Sequence, residues 1–136
     1  MAHALWNYDG PCRNIHGHSY QLFVTVTGRP AEDINSSKLG MVIDFSDLKK
    51  IVNQNVVDYF DHSVVISSRA GKADLQRVEQ MFEKFYVVGY QPTCENLVID
   101  MANRIRSRLP SHVSLFSLRL VETATSYAEW FAADNP

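Results

Sequence analysis

Tyr20-Gln21-Leu22-Phe23-Val24-Thr25-Val26-Thr27 is the stretch on which the fold turns. It alternates along its length and is rich in β-branched and aromatic residues, which predicts a strand closed by Gly28-Arg29-Pro30. Downstream, residues 31–40 read as a polar loop and Met41-Val42-Ile43 as a short returning strand. A helix is expected from Asp44, whose carboxylate can accept the free N–H groups of the first turn, with Asp47 suited to the dipole there. Phe45, Leu48, Ile51, Val52, Val56 and Tyr59 form its apolar stripe. Across residues 61–91, Leu75, Val78, Met81 and Phe82 suggest a short amphipathic helix, and Tyr86-Val87-Val88 an extended segment. A second helix follows Pro92, with Thr93 as N-cap and Cys94, Leu97, Val98, Met101, Ala102, Ile105 and Leu109 inward; Pro110 ends it. Strands at about Val113–Glu122 and Ser126–Ala132, joined by Thr123-Ala124-Thr125, close the chain. The pattern predicts a single α+β domain over residues 1–136, an antiparallel sheet with two amphipathic helices packed on one face.

Composition narrows the class of function. The chain has 136 residues, 46% hydrophobic and 21% charged, too apolar for a disordered segment and long enough for one core. Thirteen basic against fifteen acidic residues give a net charge of −2, which argues against a broad nucleic-acid face. No apolar run approaches the roughly 20 residues of a membrane helix. The opening Met1-Ala2-His3-Ala4-Leu5-Trp6 has neither the basic nor the long apolar part of a signal peptide. Cys12 and Cys94 do not make a disulfide framework, so a cytoplasmic enzyme is expected.

Chemistry concentrates near the start of the chain. If His16-Gly17-His18 runs into the strand at Tyr20, both imidazoles share a face and can ligate one metal ion, with Gly17 adding no bulk opposite. His3 would complete a three-imidazole set that leaves a fourth tetrahedral position of Zn²⁺ open. The competing reading is a chance cluster near the terminus. Cys12, flanked by Gly10-Pro11 and Arg13, suits a metal ligand or a catalytic base or nucleophile. Cys94 reads as a small buried hydrophobe. Asp61-His62 is either a surface pair or, in a loop conformation, a proton shuttle with the carboxylate orienting the imidazole. Glu122, in phase with Phe116, Leu118 and Leu120, falls on the buried face and needs a partner, either an Arg of this chain or a ligand with paired N–H donors. Glu95 suits the helix dipole, and His112 reads as a surface residue.

Six stretches occur in order over nearly the whole chain: Ala2-His3-Ala4-Leu5, Cys12 through Tyr20, Gly40-Met41-Val42-Ile43-Asp44-Phe45, Phe60-Asp61-His62, Pro92-Thr93-Cys94-Glu95-Asn96-Leu97 and Val121-Glu122-Thr123. Together they resemble the superfamily of 6-pyruvoyl-tetrahydropterin synthases and 6-carboxytetrahydropterin synthases. The resemblance implies the tunnelling (T-)fold. It further implies zinc held by His3, His16 and His18, with Cys12 as catalytic thiol and Asp61 with His62 as proton relay. Glu122 would grip the pterin amine edge, and Thr93 and Glu95 would lie near the pterin or a subunit border. The short Cys12–His16 gap is similar to that of the bacterial 6-carboxytetrahydropterin synthases of 7-deazaguanine (queuosine) biosynthesis. The implied reaction takes 7,8-dihydroneopterin triphosphate to 6-carboxy-5,6,7,8-tetrahydropterin, acetaldehyde and triphosphate. A 6-pyruvoyl-tetrahydropterin synthase, or a non-catalytic zinc- or pterin-binding module, is the alternative. The family also implies a homohexamer with active sites at subunit interfaces, in keeping with the exposed edges of a small sheet. Two departures stand out. The family's usual strand before the Ala-x-His segment is missing or truncated, and residues 63–91 look longer than in compact members.

Overall fold

The structure, a computed structural model, describes residues 1–135. Strands β1 (Ala2–Ala4), β2 (His16–Gly17), β3 (Gln21–Gly28), β4 (Val64–Ser67), β5 (Phe85–Val88), β6 (Val113–Thr123) and β7 (Ser126–Phe131) form two sheets. Helix α1 (Phe45–Val52) continues through a π-helical turn at Asn53–Val57 into α2 (Asp58–Phe60). Helices α3 (Lys72–Met81) and α4 (Cys94–Arg106) complete the order.

The sheet order β3-β6-β7 is antiparallel throughout. Its inner residues Leu115, Leu118, Leu120, Ala128 and Trp130 share one core cluster with Leu97, Val98 and Ile105 of α4 and with Val56 and Phe60. This is the antiparallel sheet with two helical segments that the apolar stripes predict, and the α+β class holds. Asp44 caps α1 as expected, its side chain accepting from Ser46 N, and Thr93 caps α4 in the same way from Asn96 N. The π turn coincides with Asn55, whose Nδ2 donates to the Ile51 carbonyl at 2.7 Å and so competes with the regular i→i−4 ladder.

A second sheet, β2-β1-β4-β5, lies outside the expected element order. In it β1 pairs antiparallel with β2 and parallel with β4, and β4 pairs parallel with β5. All four residues of β4 are buried, as suits an inner strand covered on both faces. The segment 61–91 is thus a strand–helix–strand crossover, with α3 and β5 where amphipathicity and extension are read.

Three local expectations fail. Met41-Val42-Ile43 forms no strand; the loop closes on itself through Ala31 N to Met41 O (2.9 Å) and turns at Gly40, φ +80°. Phe45 is 77% exposed and leaves the helical stripe. Phe116 is 52% exposed, because a bulge in the β3–β6 register between Thr25 and Val26 leaves it unpaired and reverses the phase of β6. Gly28 ends β3 where a Cβ would stand 2.7 Å from the His112 carbonyl oxygen, so only glycine admits that approach. No helix among the described residues is long and apolar enough to cross a membrane.

Leu115, which an unbroken phase with Leu118 and Leu120 would turn outward but which is only 3% exposed, should cost about 2–5 kcal/mol when truncated to Ala. Urea unfolding measures it, and a loss below about 1 kcal/mol would contradict the reversed phase.

Candidate metal centre and active site

Sheet register builds the centre. His3 and His16 are direct partners across the antiparallel β1–β2 pair, so their side chains leave the sheet on the same face. His18 lies past the formal end of β2, yet its N–H donates to the Met1 carbonyl at 3.1 Å and its own carbonyl accepts the Met1 amino group at 3.3 Å. The ladder therefore carries on to His18, and the period of two returns it to the face of His16. Ring centroids lie 4.6 Å apart for His3 and His16, 5.5 Å for His3 and His18, and 5.1 Å for His16 and His18. One nitrogen from each of the three lies within 4.8 Å of the others.

The donor chemistry fits a divalent cation of the zinc type. His3 Nδ1–H donates to the Pro92 carbonyl at 2.5 Å and His16 Nδ1–H to the Asn14 carbonyl at 2.8 Å. Each bond fixes the tautomer that leaves the Nε2 lone pair free, the outer-shell arrangement common to metal-ligating histidines. His3 is buried, at 3% exposure. Burial holds its imidazole below the ordinary value, and the charges of His16 and His18 act the same way, opposed by the Pro92 carbonyl and Glu122. The neutral form, which a metal requires, is favoured.

Glu122 sits at a second bulge, where the β6–β7 register slips between Val121 and Thr123. Within the chain its partner is Tyr20 rather than an Arg: the Tyr20 hydroxyl donates to Oε1 at 2.6 Å. The same oxygen lies 3.7 Å from His3 Nε2 and 3.8 Å from His18 Nε2. Burial and the bond to Glu122 raise the Tyr20 pKa, so the phenol stays a donor. Tyr20 was open to detection, since it follows His16 and His18 at the same period of two. The Pro92 and Asn14 carbonyls carry no side-chain signal and were not.

A cavity of about 650 Å³ is lined by His18, Tyr20, Phe60, Asp61, His62 and Met101, among others, within the usual size of small-molecule sites. Asp61 Oδ2 is 2.9 Å from His62 Nδ1. The contact needs the turn that the chain takes there, with His62 at φ +55°. The His62 bond lowers the Asp61 pKa, helped by the amino terminus and Lys84. Cys12 lies in the 3₁₀ turn Pro11–Arg13, partly buried, its carbonyl accepting Leu5 N at 2.9 Å. It stands outside the converging nitrogen set and the cavity lining, near enough to Tyr20 to contribute to that phenol's raised pKa. Thr93 is engaged as N-cap, one residue from the carbonyl that orients His3, and Glu95 is exposed on the first turn of α4. Cys94 is buried, its thiol donating to the Leu120 carbonyl at 3.3 Å and its pKa pushed up to about 11 by burial.

A three-histidine centre carried on an α+β fold of two helical segments against an antiparallel sheet defines the class, and the chain belongs to the 6-pyruvoyl tetrahydropterin synthase family, whose model matches residues 1–133. The 6-carboxy-5,6,7,8-tetrahydropterin synthase of Haemophilus influenzae is 34% identical over 132 residues, covering 96% of this chain and 91% of the relative. The enzyme of the same name from Rickettsia bellii is 29% identical over 130 residues, covering 93% and 90%. Among solved structures, the 6-pyruvoyl tetrahydropterin synthase of Caenorhabditis elegans matches with a TM-score of 0.62 at 27% identity, over 96% of this chain and 86% of that one. An uncharacterized protein from Wolinella succinogenes shares the fold with a TM-score of 0.74 at 20% identity, over 96% and 91%.

The lowered His3 pKa has a sign in stability. Below the ordinary histidine value of 6.5 the unfolded chain takes up the proton more readily than the folded one, so metal-free stability falls as pH drops through and below that value. His3→Asn, which keeps a donor for the Pro92 carbonyl but does not titrate, should flatten this slope in thermal melts between pH 7.5 and 5. Equal slopes in the two proteins would contradict the assignment.

Proposed function

We propose that this chain is a zinc-dependent 6-carboxy-5,6,7,8-tetrahydropterin synthase, a lyase converting 7,8-dihydroneopterin triphosphate and water to 6-carboxytetrahydropterin, acetaldehyde and triphosphate for 7-deazaguanine (queuosine) biosynthesis. The observation that carries the reading is the convergence of His3, His16 and His18, the last of which lines a cavity together with Asp61 and His62. The short Cys12–His16 spacing favours the carboxy over the pyruvoyl product.

His3, His16 and His18 would hold the zinc, whose role when bound is to polarise and acidify side-chain oxygens of the substrate. The remaining roles belong to the chain. Cys12, as thiolate, would accept a proton, and His62, oriented through Nδ1 by Asp61, would deliver or remove another. Glu122 Oε1 is occupied by Tyr20, so the carboxylate is pre-aimed and Oε2 is the oxygen left to accept the paired N–H donors of the pterin. Thr93 and Glu95 are assigned to the pterin edge or a subunit border, in a homohexamer whose active sites lie between subunits. Both cysteines are free, which suits a reducing cytoplasm.

Incubation with dihydroneopterin triphosphate and identification of the product by mass tests the reading. A 6-pyruvoyl product would move the chain to the other activity, and no turnover by zinc-loaded protein would sink both. Cys12→Ala should abolish turnover while zinc and pterin affinity stay near normal. Glu122→Ala should weaken pterin binding at least tenfold, since each charge-assisted hydrogen bond is worth roughly 1.5–3 kcal/mol. Loss of zinc from Cys12→Ala would instead make the thiol a ligand.

A further inference from the structure

Helix α2 ends at Phe60, and the chain turns through Asp61 and His62 before β4 begins at Val64. The last carbonyls of a helix lack main-chain donors. Here Lys84, at the entrance to β5, supplies them: its Nζ donates to the Asp58 carbonyl at 2.7 Å and to the Asp61 carbonyl at 2.6 Å. The Lys84 main-chain carbonyl in turn accepts Val64 N at 2.9 Å. One residue thus grips the turn at the helix end and again at the start of the following strand.

The turn needs such a grip. His62 occupies the left-handed region at φ +55°, sparsely populated for a residue with a side chain and kept only where the surroundings over-determine it. The contact with Asp61 depends on that conformation, because adjacent side chains on an extended strand point apart. Packing does not hold the pair, since the Asp61 and His62 side chains are 61% and 90% exposed. The neighbours are fixed instead. Phe60 is in the core, and buried Ser63 donates its Oγ to the Phe60 carbonyl at 2.7 Å while its own carbonyl accepts Ala2 N at 2.7 Å. Between these anchors, the Asp61 carbonyl is held by Lys84.

We propose that Lys84 is a positioning residue for the Asp61–His62 pair, its ammonium fixing the peptide geometry that lets the carboxylate orient the imidazole toward the cavity. This rests on the reading of that pair as the proton relay. It also gives the 63–91 crossover a task, because β5 delivers Lys84 beneath the turn. A helix cap with no further role would affect melting temperature alone, whereas a positioning residue also affects the chemical step and the His62 ring.

The test uses the full-length, zinc-loaded protein with Lys84→Met, Lys84→Arg and His62→Gln. It reads kcat and KM with dihydroneopterin triphosphate, metal content, and the ¹⁵N NMR signature of His62 Nδ1 donating to a carboxylate. Lys84→Met is expected to lower kcat at least tenfold with KM within about threefold and metal content unchanged, and to lose the ring signature; Lys84→Arg should restore both. Should Lys84→Met fail to fold, Lys84→Leu, which likewise removes the ammonium donors, is read in the same way. Wild-type kcat in Lys84→Met beside an inactive His62→Gln overturns the positioning role and leaves the relay standing. If His62→Gln itself turns over normally, the relay reading fails, and the ring signature decides for Lys84: unchanged in Lys84→Met, it overturns the proposal; lost, it upholds Lys84 as the clamp of the pair. An Arg that restores neither readout also overturns it.

Discussion

The pairing of β1 with β2 is the contact on which the site depends. Opposing His3 to His16 in an antiparallel register sets two imidazoles side by side, and the extension of that ladder through Met1 brings in the third. A slip of one residue would turn His3 to the other face and undo the set. The register is held from the far side as well, since β1 also pairs with β4. A three-residue strand is too short to fix its own position, and it is the buried β4 that makes it rigid.

Burial and hydrogen bonding then give this geometry its chemistry. His3 sits 3% exposed between two strands, with its Nδ1–H committed to the carbonyl of Pro92, the residue just before the α4 cap. The orientation of one imidazole of the centre is therefore tied to the start of the main core helix, 89 residues away. Tyr20 joins the same centre to Glu122. The imidazole set, the acid and the helix start form one connected polar cluster beside the apolar core, and no buried side-chain nitrogen or oxygen among the described residues lacks a partner.

Much of this was legible in the sequence, for identifiable reasons. The stripe Leu97, Val98, Met101, Ala102, Ile105 after Thr93 specifies a capped, one-sided helix, and the structure buries each of those residues. His16 and His18 share a face because strands alternate. The failures come from effects that periodicity does not encode. A single extra residue at the β3–β6 bulge turns Phe116 outward. Ala2–Ala4 and His16–Gly17 are too short to register as strands; β1 is held as one by β4 alongside it, and β2 by β1. Val64-Val65-Ile66 carries the continuous apolar run of a doubly covered strand, yet its role follows from parallel partners distant in sequence. Tyr20 as the partner of Glu122, 102 residues away, has a recognisable phase but no local mark of its target.

X-ray absorption of the zinc-loaded protein tests the central claim most directly, because it reads the ligand atoms themselves. Three imidazole nitrogens at about 2.0–2.1 Å with one further light-atom ligand is the result expected of a centre built by the β1–β2 register. A sulfur at about 2.3 Å would place Cys12 in the coordination sphere and contradict the three-histidine centre.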